Sequence, residues 1–93
     1  MRMRVGQGFD IHRFVDDVVS DRKLILGGVH FKGERGLIGH SDADVVAHAT
    51  AEAILGACGL GNIGEHFPDN DPRYKNVDSI NLLELVATMA RNH

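Results

Sequence analysis

Apolar positions alternate near the start of the chain and then recur in short blocks. Residues 3–9 alternate loosely between apolar and small or polar side chains, which predicts a first β-strand ending at residues 10–12. Two apolar runs, at 24–26 and 29–31, flank a glycine pair. This spacing predicts a hairpin or a bulged strand. The first third of the chain therefore predicts three short strands.

A helix is predicted after these strands. Either Ser41 or Asp42 is a suitable N-cap for a helix that runs to about Cys58 and is stopped by Gly59. The helix is rich in alanine, which permits close packing on a sheet.

A second helix is predicted near the end of the chain. It follows a loop over residues 62–76 that begins with one helical turn, and either Asp78 or Ser79 is its N-cap. With one thin sheet predicted, this helix is expected to have little to pack against. We therefore interpret residues 1–93 as a single domain and as the N-terminal portion of a longer protein.

Three side chains in this pattern are candidate metal ligands. Asp10 and His12 flank one residue and point to the same side if that segment is a strand, and His48 lies on the first predicted helix. One carboxylate and two imidazoles leave a coordination position open, as in catalytic zinc sites. On the same helix, Asp44, His48 and Glu52 are spaced four apart and form a polar stripe. The stripe begins at the helix N-terminus, where we expect an anion site.

Composition narrows the classes of function. The chain has 93 residues, a net charge of −3 and no basic run, which argues against nucleic acid as the main partner. Its one cysteine, Cys58, excludes an intrachain disulfide and fits a reducing compartment. Neither a signal peptide nor a membrane-spanning run is evident. We expect an intracellular, cytoplasmic protein that does not insert into a membrane.

Four motifs occur in order, and together they carry a family resemblance. They read GFDIH at 8–12, GGV at 27–29, GHSDADV at 39–45 followed by His48, and FPDNDP at 67–72. The chain closely resembles the N-terminal half of the 2-C-methyl-D-erythritol 2,4-cyclodiphosphate synthase family, which acts in non-mevalonate isoprenoid biosynthesis. This resemblance implies an α/β fold of the α+β type, a mixed β-sheet with helices packed on one face. It also implies a homotrimer with active sites between subunits, in the cytoplasm or, for a plant-type source, the plastid stroma.

The resemblance further implies the reaction and the site. The family cyclises 4-diphosphocytidyl-2-C-methyl-D-erythritol 2-phosphate and releases CMP, using Zn²⁺ on the residues matching Asp10, His12 and His48. The residue matching His40 is catalytic, and a second divalent cation (Mg²⁺ or Mn²⁺) binds with the cytidine-diphosphate-linked substrate. Asn62 stands where the family usually has Asp, and the segments that hold cytosine lie beyond residue 93. The residues implied to contact substrate are Asp10, His12, His40, Ser41, Glu52, Asn62, Ile63, Gly64, Phe67, Pro68, Asp69, Asn70 and Asp71.

Three alternatives stay open from the residues alone. A zinc-dependent hydrolase of another phosphate ester would use the same ligands with water as nucleophile. A metal-binding fragment without turnover would need nothing more than the ligands. A non-haem iron oxygenase also uses two histidines and a carboxylate, but on the strands of a barrel, whereas His48 is predicted on a helix.

Overall fold

Within the residues that it describes, the computed structural model has two strands, three α-helices and one 3-10 turn. It describes residues 3–16, 21–39, 41–68, 70–74 and 78–93. The elements are β1 (Leu24–Leu26), β2 (Val29–Phe31), α1 (Val45–Ala57), α2 (Ile63–His66), the 3-10 turn (Pro72–Tyr74) and α3 (Ser79–Arg91). The α+β class is confirmed.

The predicted hairpin is confirmed. Strands β1 and β2 are antiparallel, with Ile25 opposite His30, and the turn between them has Gly27 at φ 61° and Gly28 at φ 81°. A two-residue turn with positive φ at both positions matches the twist of the flanking strands and favours glycine. Among the described residues this pair is the whole sheet, in place of the mixed sheet that was expected.

The predicted strand over residues 3–9 is wrong. Residues 3–13, the N-terminal segment, carry no strand assignment, because no described strand lies beside them to complete a ladder. The segment runs along α1 instead. A Cβ on Gly8 would overlap the carbonyl oxygen of Ala49, and one on Gly6 would overlap that of Ala53. Glycine at these two positions lets the segment's backbone touch the backbone of α1.

Helix α1 begins later than predicted. Its N-cap is Asp44, neither Ser41 nor Asp42, and the Asp44 Oδ1 accepts from the backbone N–H of Ala47 at 3.0 Å. The same carboxylate accepts from the turn amides of Gly27 and Gly28, each at 2.8 Å. Tertiary contacts therefore select this aspartate. The predicted end is confirmed, since Cys58 is the C-cap.

Helix α3 packs on α1, so the expectation that it has little to pack against is wrong. Ala51, Leu55 and Val86 form the buried centre of the contact, at 1% exposure or less. A fully buried Leu or Val contributes roughly 1.5–3 kcal/mol relative to exposure. Asp78 is confirmed as the N-cap, accepting from the N–H of Ile80 at 3.0 Å. The two helices form the scaffold on which the site is built.

Candidate metal centre

Asp10, His12 and His48 converge at the junction between the N-terminal segment and α1. The Asp10 Oδ2 atom lies 3.2 Å from His12 Nε2 and 3.2 Å from His48 Nδ1. One ligand atom from each residue lies within 4.8 Å of the other two. All three side chains are partly buried. The structure thus brings together the three predicted ligands, which the sequence places on two separate elements.

The loop before α1 orients His12. Its Nδ1 lies 2.6 Å from the carbonyl oxygen of Ile38, which can only accept, so Nδ1 carries the hydrogen. In a neutral ring the lone pair is then on Nε2, the atom that faces Asp10. Gly39 lies against the ring, since a Cβ there would come within 2.9 Å of His12 Cε1.

His48 is held from its other side. Its Nδ1 faces Asp10, while its Nε2 lies 2.7 Å from Ser79 Oγ and 3.3 Å from Ser41 Oγ. The plane of its ring is tilted 56° from that of His12, with ring centroids 6.0 Å apart. Both rings therefore have one nitrogen engaged with the protein and the other directed at the same carboxylate.

This donor set fits a divalent cation. Suppose both rings are neutral and carry their hydrogens on the nitrogens that face Ile38 and Ser79. The other two nitrogens and the Asp10 carboxylate then direct lone pairs at one another, which is unfavourable without a positive charge between them. Two ligand atoms of a tetrahedral zinc ion, each ~2.0–2.1 Å from the metal, are about 3.3 Å apart. The two 3.2 Å separations at Asp10 Oδ2 match that spacing. Nitrogen and carboxylate oxygen are also ligands that zinc accepts.

The anion site expected at the N-terminus of α1 stays a prediction, and a carboxylate of the chain already lies at this helix end. The Asp44 carboxylate is itself fully buried and accepts from the N–H of Ala47 there. A negative charge built into the helix end takes up one of the amides and opposes a second anion nearby. Asp44, the first residue of the polar stripe, is therefore not exposed to solvent.

Of the two residues expected to contact phosphate, Ser41 is buried and His40 lies outside the described residues. The Ser41 hydroxyl accepts from the N–H of Ala43 at 3.3 Å and faces His48. It therefore lies next to the three candidate ligands, but inside the protein.

Glu52 and the start of α2 form a second group. Glu52 lies one turn beyond His48 on α1, and its two carboxylate oxygens are each 3.4 Å from the N–H of Ile63. Asn62 is the N-cap of α2 and accepts from the N–H of Glu65 at 3.0 Å. An aspartate there can do the same, so Asn62 preserves the helix start. Gly64 is exposed on this turn.

The segment expected to border the substrate has two parts. Phe67 packs against the α1–α3 core, and Pro68 is partly buried. Asp71 makes an ion pair with Arg73, with Oδ2 and Nη2 2.8 Å apart. Asn70 is exposed, and Asp69 lies outside the described residues.

A shallow cleft of about 170 Å³ opens beside the cluster. Its lining carries two cationic side chains, Arg22 and Lys23, together with Ser41 and Asp42. Arg22 donates to the carbonyl oxygens of Leu37 (2.9 Å) and Ser41 (3.0 Å), which fixes both ends of the loop before α1. Small-molecule pockets usually enclose about 300–1,000 Å³, so this cleft is smaller than a typical ligand pocket.

Sequence reasoning treated two neighbours of the cluster only as possible helix caps. Asp42 and Ser79 lie 37 residues apart, and the Ser79 hydroxyl and backbone N–H both donate to the Asp42 carboxylate. The sequence offers no local signal for this pairing, because both residues are also suitable helix caps.

Comparison with known proteins gives consistent results. The family model described as the YgbB family matches residues 3–93. Two relatives named 2-C-methyl-D-erythritol 2,4-cyclodiphosphate synthase are similar over nearly the whole chain. That of Pelobacter propionicus is 59% identical over 95% of this chain and 53% of its own length. That of Geotalea daltonii is 60% identical over 97% of this chain and 50% of its own length.

Solved structures agree in fold. A structure of 2C-methyl-D-erythritol-2,4-cyclodiphosphate synthase superposes with a TM-score of 0.83 at 37% identity, over 96% of this chain and 57% of that one. The bifunctional IspDF from Campylobacter jejuni gives 0.84 at 45% identity, over 95% and 23% of the two chains. This chain spans about half the length of the curated relatives it matches. The resemblance that the four motifs carry is confirmed, and the chain belongs to the YgbB family.

Proposed function

We propose that this chain supplies the zinc-binding part of the active site of a 2-C-methyl-D-erythritol 2,4-cyclodiphosphate synthase. The activity is that of a phosphorus–oxygen lyase, which closes a cyclic diphosphate on 4-diphosphocytidyl-2-C-methyl-D-erythritol 2-phosphate and releases CMP. The observation that carries the proposal is the convergence of Asp10, His12 and His48 in a chain of this family.

The cofactor we propose at these ligands is Zn²⁺, with a second divalent cation (Mg²⁺ or Mn²⁺) arriving with substrate. When bound, zinc supplies a Lewis acid for phosphate oxygen. The chain's own contribution is to hold the three ligand atoms in place before substrate arrives. Ile38 and Gly39 position His12, and α1 positions His48.

The remaining chemistry is charge control. The reaction is intramolecular, so the attacking oxygen belongs to the substrate and the protein needs no activated Ser or Cys. Two unit charges 4 Å apart repel by about 4 kcal/mol at an effective dielectric of 20, and the phosphates bring several such pairs together. We assign His40 to stabilising the charge that develops in the transition state and to contacting phosphate, with Ser41 beside it.

The rest of the substrate is assigned to the second group. We propose that Glu52, the α2 turn at 62–64 and the segment 67–71 border the methylerythritol part. The 170 Å³ cleft is too small for the whole molecule. A pocket that neighbouring subunits complete, in a homotrimer, accounts for the difference. One similar structure, a 2C-methyl-D-erythritol-2,4-cyclodiphosphate synthase in a CDP-bound form, is 37% identical to this chain, which covers 57% of it.

The assembly and location follow the same proposal. Residues 1–93 form a single domain, which is the N-terminal part of the subunit. We propose that this chain assembles as a homotrimer. The particle mass by light scattering is then about three times the 10.1 kDa of one chain. Within the described residues, no helix has the length and apolar character needed to cross a bilayer. We propose a cytoplasmic location, or the plastid stroma for a plant-type source.

The test combines metal content with product identity. Purified chain is loaded with Zn²⁺, its zinc content is measured, and it is incubated with the cytidine-diphosphate-linked substrate and Mg²⁺ while ³¹P NMR follows the products. We expect one zinc per chain and a cyclic diphosphate with CMP. The zinc affinity of His48→Ala should fall by more than ~100-fold, which exceeds the loss seen when only a hydrogen-bond partner of a ligand is removed. The helical circular dichroism of this variant should be unchanged.

Other outcomes separate the alternatives. Inorganic phosphate as product identifies a hydrolase. Bound zinc without any product identifies a metal-binding fragment. Zinc content unchanged in His48→Ala contradicts the assigned ligands.

A further inference from the structure

Ser79 occupies an unusual place for a polar residue. It is the first residue of α3 and is 1% exposed. Its hydroxyl lies 2.7 Å from His48 Nε2 and donates to the Asp42 carboxylate. The hydroxyl is not needed to cap α3, because Asp78 does so. A buried hydroxyl between a carboxylate and an imidazole therefore calls for another role.

The chemistry of Asp42, Ser79 and His48 determines which atom donates in each of the hydrogen bonds between them. A carboxylate only accepts, so the single hydroxyl hydrogen of Ser79 goes to Asp42. Toward His48 the Ser79 oxygen can then only accept, which requires the hydrogen of a neutral ring to be on Nε2. The lone pair of that ring is left on Nδ1, the nitrogen 3.2 Å from Asp10 Oδ2.

The surrounding contacts agree with this direction. The Asp42 carboxylate is held by the backbone N–H of Ser79 at 2.9 Å and by that of Asp44 at 3.1 Å. The Ser41 hydroxyl, 3.3 Å from His48 Nε2, accepts from the N–H of Ala43 and offers a second oxygen to the same nitrogen. No buried polar side-chain atom among the described residues lacks a partner.

We propose that Ser79 and Asp42 are positioning residues that hold His48 in the Nε2–H tautomer and direct Nδ1 to the metal. This inference rests on the metal centre of the proposed function. Groups behind a ligating histidine typically change metal affinity 10- to 100-fold. His12 has the corresponding support from a backbone carbonyl, that of Ile38, which substitution cannot remove. The side-chain support of His48 makes the metal centre sensitive to the N-terminus of α3.

The first measurement is metal affinity without turnover. Zinc dissociation constants are obtained by competition with a chromophoric chelator, and the Co²⁺ form is recorded by absorption spectroscopy. We expect Ser79→Ala to weaken zinc binding about 10- to 100-fold and to change the Co²⁺ ligand-field bands. The matched control is Asp78→Ala, which removes the adjacent N-cap of α3 without touching His48; it should lower stability and leave zinc affinity within about twofold.

The second measurement reports the tautomer in the metal-free protein. Long-range ¹H–¹⁵N spectra of wild type are expected to show His48 with its hydrogen on Nε2. Asp42→Asn replaces a carboxylate, which can only accept, with an amide that can also donate to Ser79. We expect this change to raise the population of His48 with its hydrogen on Nδ1. This readout does not require Ser79→Ala to fold.

The outcomes distinguish the two proposals. Ser79→Ala with wild-type affinity, beside a His48→Ala variant that loses zinc, overturns the positioning role and leaves the metal centre intact. A wild-type His48 found as the Nδ1–H tautomer also overturns it. Equal zinc affinity in wild type and His48→Ala overturns the metal centre, and the positioning role with it.

Discussion

The N-terminal segment and the α1–α3 layer use similar apolar residues to opposite effect. In the helical layer, Leu55 and Val86 have no exposed surface. In the N-terminal segment, Val5 is 88% exposed and Phe9 is 75% exposed. The helical layer thus completes its own core within this chain, while the segment buries one face on α1 through its glycines and leaves the other face uncovered. The candidate metal centre joins the two regions, since Asp10 and His12 come from one and His48 from the other.

The largest expected effect is on the free energy of unfolding, which one substitution in each region should change by very different amounts. Leu55→Ala removes a fully buried side chain and should cost about 2–5 kcal/mol. Val5→Ala, which shortens an exposed side chain, should stay within about 0.5 kcal/mol of wild type. Urea denaturation followed by circular dichroism measures both. Similar losses in the two variants would mean that the segment's outer face is covered in solution.

A smaller effect is expected where the regions touch. Gly8→Ala places a Cβ on the carbonyl oxygen of Ala49, so the segment must move off α1 and carry Asp10 and His12 with it. Overpacking of this kind costs about 1–3 kcal/mol, and 1.4 kcal/mol corresponds to tenfold in affinity. Zinc binding should therefore weaken roughly 10- to 100-fold, with the helical circular dichroism retained. An unchanged zinc dissociation constant would contradict the docking of this segment.

The smallest effect has the opposite sign and is the matched control. Gly56 lies on the same helix, but a Cβ there has its nearest neighbour, Gln7 O, at 3.9 Å. Gly56→Ala should keep zinc affinity and raise stability by up to about 1 kcal/mol, because alanine favours the helix. A loss of zinc affinity in this variant would show that any added methyl on α1 disturbs the site.

Local patterns predicted the elements whose causes are local. The hairpin follows from its glycine pair, and the end of α1 from Cys58 and Gly59. The convergence of the three candidate ligands was predicted because carboxylate and imidazole pairs at such spacing are restrictive. Residues 3–9 were wrongly predicted as a strand. Alternation of apolar and polar residues indicates only which side of an extended segment is buried, whereas a strand also needs a neighbouring strand to bond with.

Choices between equivalent residues required the tertiary structure. Asp42 and Asp44 can both cap a helix, and their roles are divided by distant partners: the hairpin turn takes Asp44, and Ser79 takes Asp42. The support of His48 was likewise not predictable, since it depends on a residue 31 positions away. That His40, Asp69 and the other residues assigned to substrate contact it stays a prediction.

The shared Asp44 carboxylate has a dynamic consequence. It accepts from the amides of Gly27, Gly28 and Ala47 while fully buried, so local opening of either the hairpin turn or the first turn of α1 strips partners from a charge that water cannot easily reach. Such openings are costly separately and become cheaper together. We therefore expect amide hydrogen exchange at these three positions to be coupled, with the turn and the helix start opening as one cooperative unit.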